Sequence, residues 1–423
     1  MQHPKAQFTY VGIDSHKDTH TAAFLDCFFD KLGEIQFENL PSKFPEFLEN
    51  ASKLRQDGTT LLFGLEDISA YGRTLAVFLK GKGQLVKHVN ALLVARERKN
   101  QTVTQKTDSV DATCAARVLL SKFGELPDAQ PDHQYWILRT LVTQRDYIVR
   151  NNTSLKNNLH SLLMQSYPNY RSFFENIDGN TSLAFYLRYP SPSTLEGTSV
   201  EELTEFLYEP SQGKVGAAKA REILGNLQDT AVPLQEIRDE AVRSVVRRIQ
   251  SNLAEIKVVE SRLAEVLASF ETTLTSMTGI DIVSAAQMLS CIGDIRRFPT
   301  AAKLARYAGI APVTYASGKT DKQFVSHRGN RELNSIFYQL AVRLVATTTN
   351  NRVRNHFFYS YYHKKMAEGK TKRQALKCVE RRLVNNVWTM LANGEEYVNP
   401  PLYDLEKESK KEPKKEPKKE KHT

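Results

Sequence analysis

The chain is poor in cysteine: its 423 residues hold four, Cys27, Cys114, Cys291 and Cys378, far apart and with no CxxC pair. That spacing excludes a disulfide scaffold and a zinc module, and it fits a reducing compartment. No apolar run approaches the ~18 residues of a membrane span, and Met1-Gln-His-Pro-Lys5 opens no signal peptide. The expectation is a cytoplasmic protein with no membrane partner. A Walker-type Gly-rich Lys-Ser/Thr loop is also missing, which agrees with chemistry that needs no external nucleotide.

What remains is ordinary material for a folded protein, 41% hydrophobic and 25% charged, enough for a core and two or three domains. Lys and Arg number 58 against 48 Asp and Glu, a net charge of +10. The last 18 residues, from Glu406, hold eight Lys and five Glu, so +7 remains on the rest. A polyanionic partner follows, although charge alone does not separate DNA, RNA and a membrane surface.

The first segment reads as a mixed α/β sheet covered by helices. Strands are expected at Phe8 to Asp14, Thr19 to Phe29, Gly33 to Phe37, Leu61 to Glu66 and Gln84 to Val89. Helices are expected at Ser42 to Leu54, Tyr71 to Lys80 and Asp108 to Leu120. A long helix runs from about Gln134 to Gln165, and residues 168–230, broken by Pro190, Pro192 and Gly197, suggest several short ones.

Val242, Val245, Ile249, Asn252, Ile256, Val259, Leu263, Val266 and Phe270 then fill a and d sites through four heptads, with Asn252 as the polar register-setter. This helix pairs either with the 134–165 helix or with a second protomer. Residues 272–350 read as compact and helical, and 351–400 as aromatic, basic helices. The Lys-Lys-Glu-Pro tail cannot bury a core. The domain limits are 1–130, 131–271, 272–345, 346–405 and 406–423.

Four carboxylates stand at telling places. Asp14 ends a strand, Glu66 ends another, and Asp108 and Asp111 lie three apart at a helix start, on one face. Like charges gathered in one cleft raise each other's pKa, and divalent cations relieve the repulsion. Two Mg²⁺ ions about 4 Å apart would clamp the attacking and leaving oxygens of phosphoryl transfer. Taken singly, Asp108 reads rather as a helix cap and Asp14 as a turn residue; four acids in this order, in a basic chain, reverse that reading.

Tyr10-Val-Gly-Ile-Asp-Ser-His-Lys-Asp-Thr-His20, the Glu66 strand and Lys106-Thr-Asp-Ser-Val-Asp-Ala112 resemble the RuvC-like DEDD domain of insertion-sequence 110 family transposases. Met277-Thr-Gly-Ile-Asp-Ile-Val-Ser-Ala-Ala286, the Phe298 to Pro312 segment, Ser317-Gly318 and His327-Arg-Gly-Asn-Arg331 resemble that family's C-terminal domain. The departure is Asp67-Ile68-Ser69, where the family usually follows its Glu with Thr-Gly.

The resemblance implies an α/β RNase H/RuvC-like N-terminal domain, long coiled-coil helices and an all-α C-terminal transposase domain. It implies an RNA-guided DNA recombinase in which Asp14, Glu66, Asp108 and Asp111 hold Mg²⁺ and Ser317 is the nucleophile that joins DNA. The implied partners are donor and target double-stranded DNA, a structured bridge RNA, and further copies forming a homodimer and then a homotetramer. The implied place is the prokaryotic cytoplasm, at the nucleoid during reaction. The alternatives are a metal-dependent nuclease or junction resolvase without a serine nucleophile, and an inactive nucleic-acid scaffold.

Contacts to nucleic acid are expected from Lys17, Arg98, Lys106, Lys319, Arg328 and Arg331, and from the Gly279 turn, whose amides open a helix. Arg352, Lys364, Lys365 and Arg373 lie among Phe357, Phe358, Tyr359, Tyr361 and Tyr362, a mixture suited to stacking on RNA or single strands. The plainer readings are a tight core turn for Gly279, ordinary turn chemistry for Ser317, and core aromatics for the last set.

Overall fold

The computed structural model describes residues 4–66, 70–100, 107–129, 133–227, 234–317, 320–324, 329–348, 350 and 352–400. They fall into two units, Met1–Trp136 and Ile137–Thr423.

In the first unit a five-stranded sheet is built from β1 (Phe8–Ser15), β2 (Thr19–Leu25), β3 (Lys31–Glu38), β4 (Thr60–Leu65) and β5 (Leu85–His88), in the order β3-β2-β1-β4-β5. β1 is antiparallel to β2 and parallel to β4, and β4 is parallel to β5. β1 and β4 are nearly continuous apolar runs because both of their faces are covered; the edge strand β3 alternates exposed and half-buried residues. α1 (Phe44–Lys53) and α2 (Arg73–Gly81) cover one face, where Phe44, Phe47, Leu75 and Leu79 join Val11, Ile13 and Phe63. α3 (Ala91–Asn100) and α4 (Asp108–Ser121) cover the other, where Val94, Ala116 and Leu119 join Tyr10 and Leu62.

β2 stops at Leu25 rather than Phe29. Asp26 Oδ1 accepts hydrogen bonds from the amides of Phe28 (2.8 Å) and Asp30 (2.9 Å), which closes a turn, and Phe29 takes a positive φ of 72°.

The second unit is mostly helical. α5 (His133–Ser166) and α10 (Gln235–Ala268) are its long members, each of 34 residues. Between them come α6 (Tyr170–Phe173), α7 (Asn180–Arg188), α8 (Val200–Tyr208) and α9 (Ala217–Gly225). These short helices pack Tyr186, Leu203 and Ile223 on Leu159 of α5 and Ile249 of α10.

The heptad seam of α10 finds its partner within the chain. Arg145 Nε donates to Glu260 Oε1 at 2.8 Å, Asn252 Nδ2 to Asn151 Oδ1 at 3.0 Å, and Arg238 Nη1 to Gln165 Oε1 at 2.8 Å, an antiparallel register. Val242, Ile249, Val259 and Leu263 are buried. The seam is therefore used within the chain. We expect the double variant Asn151→Leu/Asn252→Leu to melt above wild type and Asn252→Leu alone below it, since the single change leaves Asn151 unpaired in an apolar seam. Thermal unfolding followed by circular dichroism reads both.

Beyond α10 lie α11 (Ile282–Ile292), α12 (Ala301–Tyr307), α13 (Arg331–Val345), α14 (His356–Ala367) and α15 (Lys372–Asn393) around one core. The expectation of an all-α C-terminal domain needs correcting. β6 (Val313–Ser317) pairs antiparallel with β7 (Thr320–Phe324). Val313, Thr314 and Tyr315 before Ser317-Gly318 are β-formers leading into a turn pair, a hairpin signal too short to show as periodicity. No helix among the described residues is long and apolar enough to cross a membrane.

Candidate metal centre

The site begins with a glycine. A Cβ on Gly12 would lie 2.1 Å from the Ala116 nitrogen and 2.3 Å from the Ala112 oxygen, so the α4 backbone rests directly on β1. Ala112, Ala115 and Ala116 keep that face of α4 small. Thr107 caps the helix, accepting from the Val110 amide at 3.3 Å. Lys31 donates to Ser109 Oγ at 3.3 Å, and Ser109 also bonds Glu34, which tie the first turn to β3. Asp108 and Asp111 are thereby brought over the end of β1, where Asp14 stands. Glu66 is the residue after Leu65, which pairs with Ile13, so Asp14 and Glu66 each follow the same rung of two parallel strands.

A histidine and an arginine meet three of these carboxylates. His16 Nε2 lies 3.1 Å from Asp14 Oδ2 and 3.3 Å from Asp108 Oδ1. Arg98, on α3, bonds Asp111 through Nη1. Asp111, and more weakly Cys114 and Glu66, make its guanidinium hold its proton more firmly. Asp14 and Asp111 are buried, whereas the Asp108 side chain is half exposed. Burial raises the Asp14 pKa above the usual carboxylate value; His16 opposes the shift, and Asp111 and Asp108 add to it.

Asp14, His16 and Asp108 each offer one ligand atom, all within 4.8 Å of one another. Carboxylate oxygens suit Mg²⁺, Ca²⁺ and Mn²⁺. His16 is the residue that reading the sequence for acids passed over, although it stands two positions after Asp14 in the same motif.

The other expected residues are placed as follows. Lys17 is exposed beside His16. Ser317 is described by its backbone, across the β6–β7 hairpin from Thr320. Lys106, Lys319 and Arg328 lie outside the described residues, as do Asp67, His327 and the 406–423 tail. Gly279 has a φ of +92°, and a Cβ there would meet Leu340 and Leu344 at 3.1 and 3.3 Å, so the turn requires glycine. The following helix N-terminus is capped by Asp281, whose carboxylate accepts from the Ser284 amide at 2.7 Å.

Arg331, Arg352 and Arg373 are exposed, while Lys364 and Lys365 are half-buried and Lys365 pairs with Glu368 at 2.9 Å. Phe357 and Phe358 are core residues. Tyr361 carries Arg382 over its ring at 4.8 Å, and Tyr359 lies against His363 at 4.2 Å between ring centroids.

A mixed sheet in this strand order, with acids at the ends of β1 and β4 and at a covering helix's first turn, defines an RNase H-like enzyme that cleaves and transfers DNA strands. Comparison with known proteins gives the family. A family model described as a transposase, with the DEDD signature of IS110, matches residues 11–168. A second, described as the transposase of the IS116/IS110/IS902 family, matches residues 271–357.

The chain is 26% identical to the 44.8 kDa protein of insertion element IS116 from Streptomyces clavuligerus, over 93% of this chain and 96% of that one. It is 26% identical to the 43.6 kDa protein of IS110 from Streptomyces coelicolor, over 92% and 95%. It is 24% identical to the 42 kDa protein of IS900 from Mycobacterium paratuberculosis, over 93% and 98%. The chain belongs to the IS110/IS116/IS900 family of transposases, with a DEDD N-terminal domain. It is thus a DNA-binding enzyme of transposition, and the DEDD domain implies a divalent metal, which the donor set above fits.

Proposed function

We propose that the protein is an RNA-guided recombinase that moves an insertion sequence through a covalent phosphoserine–DNA intermediate. The observation that carries the metal half of this reading is the meeting of Asp14 and Asp108, from distant parts of the chain, on one His16 nitrogen. When bound, Mg²⁺ at Asp14, Glu66, Asp108 and Asp111 supplies Lewis-acid stabilisation of phosphoryl transfer, most simply as a pair of ions.

The residues of the chain do the rest. The acids at the ends of β1 and β4 and on α4 fix the charge that the substrate phosphate meets. The Ser317 oxygen bonds the phosphorus as the P–O bond to the departing strand breaks, and the serine proton passes through solvent to the departing strand oxygen, which keeps the electron pair and leaves as a hydroxyl. Attack by the hydroxyl of another strand reverses the step, reforms a phosphodiester and frees the serine, so no nucleotide is consumed.

Exposed Lys17, Arg331, Arg352 and Arg373, with Arg98, Lys106, Lys319, Arg328, Lys364, Lys365 and the Gly279 turn, are assigned to DNA and to a bridge RNA whose loops pair with donor and target. A dimer that assembles into a tetramer would combine the acids of one protomer with the serine of another.

The test incubates purified protein with RNA transcribed from the flanking DNA, matching donor and target DNA, and Mg²⁺. We expect a protein–DNA adduct on a denaturing gel that requires the RNA and disappears in Ser317→Ala and in Asp14→Ala. Cleavage without an adduct, unchanged in Ser317→Ala, would return the protein to the plain nucleases.

A further inference from the structure

We propose that His16 is itself a ligand of the metal, so that the centre is a mixed oxygen and nitrogen site rather than one of carboxylates alone. The inference rests on the metal-centre reading above and extends it to a residue outside the four acids.

Its first support is distance. Nε2 sits 3.1 Å from Asp14 Oδ2 and 3.3 Å from Asp108 Oδ1, so the nitrogen faces the same small volume as both oxygens, and one ion placed there is within reach of all three. The second is that the ring is carried on a braced turn. The His16 amide donates to the Thr19 oxygen at 3.0 Å. Asn39 Nδ2 reaches back to the carbonyls of His16, Lys17 and Tyr71, each at 3.2 Å, and so ties the β1–β2 turn to the chain before α2. A metal ligand needs a fixed carrier, and this half-exposed ring is held on one. The third is connectivity: His16 reaches both β1 and α4, the two elements that Gly12 holds in contact.

The chemical consequence is selectivity. Imidazole suits the transition ions, of which Mn²⁺ is the weakest binder, whereas Mg²⁺ and Ca²⁺ are hard ions that take oxygen, so a nitrogen ligand adds more for Mn²⁺ than for Mg²⁺. The chain should therefore bind Mn²⁺ more tightly than Mg²⁺, and His16 should carry most of the difference.

The experiment uses the full chain with Mn²⁺ alone as the probe. Pulsed electron paramagnetic resonance reads the ¹⁴N coupling of a directly bound imidazole, and isothermal titration reads affinity. The expected result is a ¹⁴N coupling in the wild type that is absent in His16→Gln and in His16→Asn, with Mn²⁺ affinity falling about tenfold or more and Mg²⁺ affinity changing much less. Circular dichroism of the variants should match wild type, because the ring is half exposed and packs no core.

Mn²⁺ bound with no ¹⁴N coupling in the wild type, and lost in Asp14→Asn, overturns the role of His16 while leaving the acidic centre intact. Equal ¹⁴N coupling in wild type and both His16 variants also overturns it. No Mn²⁺ binding to the wild type overturns both.

Discussion

Asp14→Asn is expected to lower DNA cleavage by at least ~100-fold, the scale on which single electrostatic partners of a transition state count, while making the metal-free protein more stable. The two effects have one origin. Asp14 is buried at the end of β1, and burial together with Asp111 and Asp108 raises its pKa, with His16 only partly offsetting the shift. A carboxyl whose folded pKa is raised favours the fold while protonated. That stability is fully present below the ordinary carboxylate pKa and is lost as pH rises through the raised value.

Once ionised, Asp14 is therefore a buried, partly compensated charge that asparagine removes. The melting temperature of the metal-free variant should exceed that of wild type at pH values above the raised Asp14 pKa, and the gap should close as pH falls through it. Saturating Mg²⁺ should reverse the order, because only the wild type gains metal-binding energy. Thermal melts at several pH values, with Mg²⁺ or with chelator, read the crossing. A variant less stable than wild type without metal would contradict this description of the site.

Gly12→Ala is expected to cost stability and activity together. The new Cβ would fall 2.1 Å from one α4 backbone atom and 2.3 Å from another, and no rotamer relieves a clash with main chain. The helix must move away from β1, at a cost of about 1–3 kcal/mol or more for overpacking, and Asp108 and Asp111 move with it. Misplacement of catalytic groups by ~1 Å costs on the order of 100-fold in rate. Gly81→Ala, at the end of α2 with nothing within 4 Å of the added methyl, is the matched control and should leave melting temperature and activity nearly unchanged. Urea unfolding and cleavage assays on both variants provide the measurement.

The elements that could be read from the chain are those whose signals are local. β1 and β4 are apolar because they are central, and α4 announces itself by Thr107 and the acids of its first turn. α3 was not legible: only Val94 is buried in Ala91–Asn100, so no apolar periodicity marks the helix. Turned toward the sheet, that segment delivers Arg98 to Asp111.

The partner of α10 was open because a heptad seam records that a helix is covered but not by what. The choice is made by pairs such as Asn151 with Asn252, far apart in sequence. Within the site, the four acids were visible one by one. That Asp14 and Asp108 meet His16 while Asp111 meets Arg98 depends on how β1, α3 and α4 pack, and that in turn depends on Gly12, which no acidic pattern marks.

The central claim is that the ends of β1 and β4 and the first turn of α4 form one divalent-metal centre. Anomalous diffraction from crystals of the full chain grown with donor DNA and Mn²⁺ tests it most directly. Density bonded to Asp14 and Asp108 is expected, with Glu66 and Asp111 around it and the signal absent in Asp14→Asn crystals. Mn²⁺ bound elsewhere on the chain, with Arg98 still on Asp111 and nothing between Asp14 and Asp108, would contradict it.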